Sequence, residues 1–276
     1  MTTTHKTLLC SLLLGTTVPL GVSADEMALY EIGVAPQAAR IQRDVEILTG
    51  FGTRHTLSDT ESDTRGIGAA RRWIKTEFEA ISAACGDIDS RVSDPMNFTS
   101  DSPGANDNAS GMAGVLETAR VLSQYQFPGS IVYTGLSGEE QGLNGGAIFA
   151  EYLLDHGWHM QAVINNDMIG NIRGVNGVVN NTTARVFSEG TRDIETAEEA
   201  SQRRFQGGEV DSASRNLARY IDTMADRFVP NLDVMMVYRL DRFGRGGHHR
   251  PFNAVGLPAV RIMETNENYT QQHQDI

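Results

Sequence analysis

The sequence is short of cysteine, of positive charge and of long hydrophobic runs, and each shortage excludes a class of protein. Cys10 and Cys85 are the only cysteines among 276 residues, so a disulfide framework is excluded. The 23 lysines and arginines stand against 35 aspartates and glutamates, which leaves a formal net charge of −12. A chain this acidic is poorly suited to nucleic acids or anionic membranes, because phosphate groups attract positive charge. It is compatible with divalent metals and with cationic substrates.

The first apolar run has the features of a secretory signal. Lys6 supplies a positive charge, residues 8–14 are apolar, and Ala24 ends a group of compact residues that precedes the expected cleavage point. Residues 15–19 interrupt the run well below the roughly 20 residues that a transmembrane helix needs. We therefore predict a signal peptide over residues 1–24 and a secreted or periplasmic location, with a buried first helix as the alternative.

The rest of the chain alternates between helical and strand-like patterns. Hydrophobic residues at helical spacing predict helices over residues 35–49, 67–84, 112–122, 147–154, 194–204 and 217–228. Short apolar or alternating runs predict strands over residues 87–92, 131–136, 162–169, 234–238 and 259–263. This alternation predicts an α/β fold with a mixed, mostly parallel sheet flanked by helices on both faces. In such sheets functional side chains collect in loops at the carboxyl ends of strands.

Four acidic features lie at expected ends of helices or strands. They are Asp87 with Asp89, Asp107, Glu139 with Glu140, and Asp167. A buried carboxylate requires a cation, a set of hydrogen bonds or a metal ion, because burying it alone is costly. Ordinary alternatives are a turn for the first pair, a helix cap for Asp107, a solvated surface for the glutamates, and an arginine partner for Asp167. Taken together, the four features favour a cation site.

Histidines suited to complete such a site lie near the end of the sequence. His248 and His249 follow a glycine-rich loop of residues 244–247, and His273 is the last histidine of the chain. Carboxylates alone suit hard ions such as Mg²⁺ or Ca²⁺, whereas an added imidazole favours Zn²⁺. A surface or hydrogen-bonded position is the alternative for each histidine.

Three ordered motifs resemble those of the M28 family of zinc peptidases. They are Pro103-Gly104-Ala105-Asn106-Asp107-Asn108-Ala109-Ser110-Gly111, then Ser137-Gly138-Glu139-Glu140-Gln141-Gly142-Leu143, then Asn166-Asp167-Met168-Ile169-Gly170. Phe252, Gly256-Leu257-Pro258-Ala259 and His273 continue the match in the same order. The resemblance covers roughly residues 35–276. It implies the three-layer α/β fold of the zinc-peptidase and phosphorylase type, and a metallopeptidase catalytic domain over residues 25–276.

The resemblance also implies a site with two zinc ions per chain and a role for each motif residue. Asp107 is expected to bridge both zinc ions, Asp167 to complete one, and Glu140 and His273 to complete the other. The expected nucleophile is a hydroxide that the two zinc ions share. Glu139 is expected to act as the general base that takes the proton from water and returns it to the leaving amine.

Two departures from the family pattern accompany these motifs. Asp87 stands where the family usually has a histidine ligand, so an aspartate is the expected first metal ligand and Asp89 has no imidazole to orient. The helix that ends near Cys85 leads almost directly to Asp87, where family members have a pair of strands. The chain also stops three residues after His273, where members usually continue with a helix. We therefore expect a shortened domain that lacks strands before residue 86 and a C-terminal helix, either as a shortened gene product or as a natural variant.

The expected function is a zinc-dependent exopeptidase, first of all an aminopeptidase, that acts on peptide or aminoacyl substrates. Carboxypeptidases and glutaminyl cyclases of the same fold family are alternatives. Two further alternatives are a catalytically impaired relative that binds metal or peptide, and a structural Ca²⁺ site. No nucleic-acid or membrane partner is expected. Substrate contacts are expected within residues 171–250, where the candidates are Arg239, Asp241, Arg242 and Arg245, with ordinary surface pairing as their alternative.

Overall fold

The computed structural model describes residues 24–85, 102–192, 194–208 and 210–274. Asp87, Asp89 and the predicted strand over residues 87–92 lie outside the described residues, as does nearly all of the predicted signal peptide. Within the described ranges, no helix combines the length and the apolar character that a bilayer-spanning helix needs.

The described part of the chain contains one sheet of four strands. The strands are β1 (Val163–Asn166), β2 (Thr183–Phe187), β3 (Asp233–Val237) and β4 (Ala259–Glu264), in the spatial order β1–β4–β2–β3. β1 runs parallel to β4, β2 runs parallel to β3, and β2 runs antiparallel to β4. The predicted mixed, mostly parallel sheet is confirmed.

Eight α-helices are found among the described residues. They are α1 (Ala24–Val34), α2 (Ala38–Gly50), α3 (Gly66–Cys85), α4 (Gly111–Leu122), α5 (Asn144–Asp155), α6 (Ala197–Gln206), α7 (Ala213–Phe228) and α8 (His249–Ala254). The six helices predicted from hydrophobic spacing are α2 to α7, with ends that differ by a few residues. α1 and the short α8 lack a long amphipathic stripe, and the sequence pattern missed both.

Helices cover both faces of the sheet. Side chains alternate between the two faces of a strand, so neighbouring residues of β4 point in opposite directions. Val260 packs in one cluster with Ala218 of α7. The adjacent Ala259 packs in another cluster with Leu153 of α5 and Phe252 of α8. The sheet therefore forms the middle layer between α7 on one side and α5 with α8 on the other.

A third cluster joins α2, α3 and α4 and fixes the helix that follows Asp107. Leu48, Phe78 and Leu116 are buried in it, one from each helix. Burying a side chain of this size contributes about 1.5–3 kcal/mol relative to leaving it exposed. Because α4 also contacts β1, this packing holds the start of α4 against the end of the sheet.

Two of the predicted strands differ from the structure. Residues 131–136 form no strand, because a strand needs a neighbour for its backbone hydrogen bonds and no described strand pairs with this segment. The predicted buried strand over residues 162–169 is the four-residue β1, in which Ile164 is 52% exposed. β1 lies at the edge of the described sheet, which explains its partial exposure. β2 was missed within the polar region of residues 171–212.

Candidate metal centre

Asp107 lies in a kinked turn, Ala105–Ser110, that leads into α4. The guanidinium of Arg54 holds the start of this turn, because Nη1 donates to the carbonyl of Pro103 at 2.5 Å and Nη2 to that of Gly104 at 2.9 Å. Gly104 has a φ of 52°, and a Cβ there would lie 2.3 Å from the carbonyl oxygen of Asp107. A glycine is therefore required for the tight approach of this backbone to Asp107.

The side chain of Asn108 ties the same turn to the end of β1. Its Nδ2 donates to the carbonyl of Asn166 at 2.9 Å. Its Oδ1 accepts from the backbone N–H groups of Gly111 at 3.0 Å and Met168 at 3.2 Å. These three bonds bring the segment that carries Asp107 beside the segment that carries Asp167, as expected for functional loops at one edge of a sheet.

Glu139 and Glu140 lie in a turn that leads into α5. The carbonyl of Glu139 accepts from the N–H of Leu143 at 2.8 Å, and the carbonyl of Gly138 accepts from the N–H of Asn144 at 2.9 Å. Gly138 has a φ of 71°, which a residue without a Cβ adopts readily. The closed turn holds the two adjacent glutamates at the start of the helix.

Three side chains from separate parts of the chain converge at this end of the sheet. The Nε2 atom of His273 lies 2.8 Å from Oδ2 of Asp107 and 2.7 Å from Oε1 of Glu140. The ligand atoms of the three residues all lie within 4.8 Å of one another. Hydrogen bonds to both carboxylates raise the pKa of His273 to about 10. One imidazole and two carboxylates form a donor set that fits Zn²⁺.

Asp167 lines the same cavity but faces an arginine. Its Oδ2 lies 3.0 Å from Nη2 of Arg261, and the carboxylate is almost completely buried. Burial raises the pKa of Asp167 to about 6, while the charge of Arg261 acts in the opposite direction. An arginine partner, the alternative that the sequence analysis gives for Asp167, is therefore present. Asp167 is not one of the three mutually close ligands found among the described residues.

Glu139 lines the cavity beside these carboxylates. Burial, together with the negative charges of Asp167, Glu140 and Asp107, raises the pKa of Glu139 to about 9. A cation bound among the carboxylates would oppose this effect, because an opposite charge nearby favours the ionised form. The protonation of Glu139 is thus tied to the charge of the cluster.

The cavity has a volume of about 330 Å³. Acidic side chains and His273 form one part of its wall, and residues from the loop after β3 form another. The arginines among its lining residues are Arg242, Arg245, Arg250 and Arg261. The cavity lining therefore combines acidic side chains with arginines.

Several residues predicted as candidates have other partners. His249 is buried and its Nε2 lies 2.8 Å from the carbonyl of Leu240, while burial lowers the pKa of His248 and of His249 to about 4. Neither histidine belongs to the described three-ligand cluster. Asp241 accepts from Arg261 at 3.1 Å, and Arg242 pairs with Glu267. Arg239 donates to the backbone carbonyl of Asp241 at 2.5 Å, and neither Arg239 nor Arg245 pairs with a carboxylate among the described residues.

Arg261 is the principal residue that the sequence interpretation missed. Its side chain is 1% exposed and lies between Asp167 and Asp241. The signal was an arginine in the middle of the apolar strand β4, since such a charge is rarely buried without a partner. Arg250, which lines the cavity from the short α8, was missed as well.

Comparisons with known proteins identify the family. The family model described as peptidase family M28 matches residues 84–275. A protein of Leptosphaeria maculans described as a probable zinc metalloprotease is 37% identical to this chain over 87% of it and 66% of the relative. This chain belongs to peptidase family M28. It spans 56–66% of the length of the curated relatives that it matches.

Solved structures show the same fold. The LapA aminopeptidase of Legionella pneumophila is similar with a TM-score of 0.63 and 19% identity, over 89% of this chain and 66% of that one. A glutaminyl cyclase of Porphyromonas gingivalis is similar with a TM-score of 0.50 and 15% identity, over 87% and 90%. At these identities the similarities show the fold alone, and the fold is shared by enzymes with different activities.

Proposed function

We propose that this chain is a zinc-dependent exopeptidase, specifically an aminopeptidase acting on peptide or aminoacyl substrates. The observation that carries the proposal is the convergence of Asp107, Glu140 and His273 at one end of the cavity. Membership of peptidase family M28 supports it, as does the description of a relative as a probable zinc metalloprotease.

In this proposal Asp107, Glu140 and His273 hold one zinc ion. Asp107 and Asp167 contribute to a second, and Asp87 is its remaining proposed ligand. Oδ2 of Asp167 is already paired with Arg261, so the second ion would share this carboxylate with the arginine. When bound, zinc supplies Lewis acidity, which polarises a carbonyl oxygen and makes a coordinated water more acidic.

Glu139 is the proposed general base. It takes a proton from the attacking water and returns it to the leaving amine. Its raised pKa comes from burial and from three neighbouring carboxylates, so a cation bound among those carboxylates would lower the pKa, in the direction that a base needs. The acidic wall around it also attracts the free α-ammonium group of a substrate.

The test is hydrolysis of a panel of aminoacyl-anilides by the zinc-loaded protein, with and without a chelator. We expect chelator-sensitive hydrolysis that Glu139→Gln reduces by about 10²–10⁴-fold, the usual contribution of a general base. Metal content measured by mass spectrometry should be unchanged in this variant and reduced in His273→Ala. Glu151→Gln, on the exposed surface of α5, is the matched control and should keep full activity. Hydrolysis that survives both the chelator and Glu139→Gln would refute the proposal.

The same assay separates the alternatives. An aminopeptidase requires a free α-amino group, so an N-acetylated substrate should not be cleaved. A cyclase would instead release ammonia from an N-terminal glutamine, and a carboxypeptidase would cleave an N-acetylated dipeptide with a free C-terminal carboxylate but not the anilides. Zinc binding without any hydrolysis would favour the impaired relative. In that case Asp87→His should improve zinc retention, because imidazole is the ligand that the family usually has at this position.

We also propose that the protein is exported after removal of residues 1–24. The charged and apolar segments at the N-terminus support this proposal. N-terminal sequencing of the protein recovered outside the cytoplasm should start at Asp25, whereas a mature protein that begins at Met1 would contradict it.

A further inference from the structure

Two arginines line the cavity without a carboxylate partner. Arg245 and Arg250 both lie on its wall and both are exposed. The other two cavity arginines are paired, Arg242 with Glu267 and Arg261 with Asp167. Within the described ranges, neither Arg245 nor Arg250 forms an ion pair.

The loop that carries Arg245 leads into α8, which carries Arg250, and it is anchored directly beside the acidic cluster. The carbonyl of Gly246 accepts from Nη1 of Arg261 at 3.0 Å. A Cβ on Gly247 would lie 3.1 Å from Oδ2 of Asp167, so the loop passes next to that carboxylate. A Cβ on Gly246 would lie 2.8 Å from Cδ of Arg250, so this glycine leaves room for the arginine stem. The carbonyl of Arg245 accepts from Nη1 of Arg250 at 3.4 Å, which keeps the two arginines together.

The lining of the cavity therefore carries charges of both signs. Its acidic residues and His273 surround the scissile bond in the proposed function. Arg245 and Arg250 add two guanidinium groups, which recognise carboxylates through charge-assisted hydrogen bonds. A volume of about 330 Å³ is small for a ligand site, so a short peptide that contacts the acidic residues also comes within reach of these arginines.

We propose that Arg245 and Arg250 form an anion subsite that selects peptides with a carboxylate close to the scissile bond. The carboxylate is either the C-terminus of a very short peptide or an acidic side chain. This inference rests on the proposed function for the position of the scissile bond. The presence of an anion subsite in the cavity depends on the two arginines alone.

The test measures ligand binding to zinc-loaded Glu139→Gln protein, which does not consume its ligand in the proposed mechanism. Calorimetric titrations compare Leu-Leu with Leu-Leu-amide, and Leu-Glu-amide with Leu-Gln-amide. We expect at least one carboxylate ligand to bind about tenfold more tightly than its neutral partner, with an advantage that falls as salt increases. The first comparison detects recognition of the C-terminus and the second detects recognition of an acidic side chain.

Variants of the two arginines test whether the tighter binding of carboxylate ligands depends on the subsite. Arg245→Gln and Arg250→Gln should each remove most of it, whereas Arg204→Gln, an exposed arginine of α6, should leave it unchanged. Thermal melts should agree across the three variants, because all three side chains lie on the surface. Carboxylate and neutral ligands that bind equally well, or an advantage that persists in both cavity variants, would overturn the proposal.

A second measurement needs neither metal nor turnover. Phenylglyoxal modifies accessible arginines, and peptide mapping reports its rate at each position. In chelator, the favoured carboxylate ligand should slow the modification of Arg245 and Arg250 but not of Arg204, and its neutral partner should slow none of them. Protection without any zinc binding or hydrolysis would support the subsite and refute the peptidase. Hydrolysis without protection and without a carboxylate preference would do the reverse.

Discussion

Replacing Arg261 with methionine is the change that most directly probes the buried charges of the site. The guanidinium lies 3.0 Å from Asp167 and 3.1 Å from Asp241, and these two carboxylates are 4% and 5% exposed. Removing one partner of a buried ion pair costs about 3–5 kcal/mol, because the other charge stays buried without compensation. Asp241 keeps a hydrogen bond of 2.6 Å from the backbone N–H of Arg242. The loss of unfolding free energy in Arg261→Met should therefore stay within about 3–5 kcal/mol, although two carboxylates lose their partner.

The assay is urea unfolding of metal-free protein in chelator, with unfolding free energies extrapolated to water. Domains of this kind have a total stability of about 5–15 kcal/mol, so the expected loss is a large shift of the transition. The double variant Arg261→Met with Asp167→Asn should be less destabilised than the sum of the two single variants, because the pair is broken only once. A loss below about 1 kcal/mol for Arg261→Met would show that the ion pair does not compensate these buried charges. In zinc-loaded protein the loss should shrink, since a second zinc ion would neutralise Asp167.

Three further predictions concern the proton on His273, the buried Glu264 and the link through Asn108. Zinc binding near pH 8 should release a proton, because the pKa of His273 is raised to about 10 in the metal-free site. The binding enthalpy measured by calorimetry should therefore depend on the ionisation enthalpy of the buffer. Equal binding enthalpies in different buffers would contradict this. Burial raises the pKa of Glu264 to about 7, so its contribution to stability is full below about 4.5 and is lost as the pH rises through about 7. In urea unfolding, the free energy of unfolding of Glu264→Gln should therefore rise relative to that of the original protein as the pH increases across this interval. The rise should reach up to roughly 3 kcal/mol, at about 1.4 kcal/mol per pH unit. A difference between the two proteins that does not change with pH would refute the prediction. Asn108→Ala removes three hydrogen bonds and should lower the free energy of unfolding by about 2–3 kcal/mol. It should also weaken zinc binding. An unchanged zinc affinity would show that these hydrogen bonds do not position the metal ligands.

The helices were largely predictable because their pattern is local. Leu48, Phe78 and Leu116 each lie in the apolar pattern of their own helix, α2, α3 and α4, and the structure buries all three in one cluster. Strands depend on a distant partner as well as on their own residues. Residues 131–136 have a strand-like composition but find no described partner, whereas the polar segment of β2 becomes a strand because β3 and β4 lie beside it.

In the candidate site, too, features with a local pattern could be predicted and those that depend on distant contacts could not. Asp107, Glu140 and His273 could be selected from motifs, because each motif has a characteristic order of residue types. The partner of Asp167 could not be selected in this way. Arg261 reaches it only because β4 pairs with β1 in a register that places Asn166 opposite Ile262, and that register is set by the packing of the whole sheet.

The contacts of His273 have a consequence for the order in which the chain folds and takes up metal. Without metal, a protonated imidazole lies between Asp107 and Glu140, and a guanidinium lies against Asp167. The acidic cluster thus carries its own internal counter-charges, and folding does not have to wait for zinc to screen the repulsion. We expect a chain that folds first and takes up metal afterwards, exchanging a proton for a cation at His273. If the protein is exported as proposed, its maturation would then be limited by the supply of zinc at its destination rather than during synthesis.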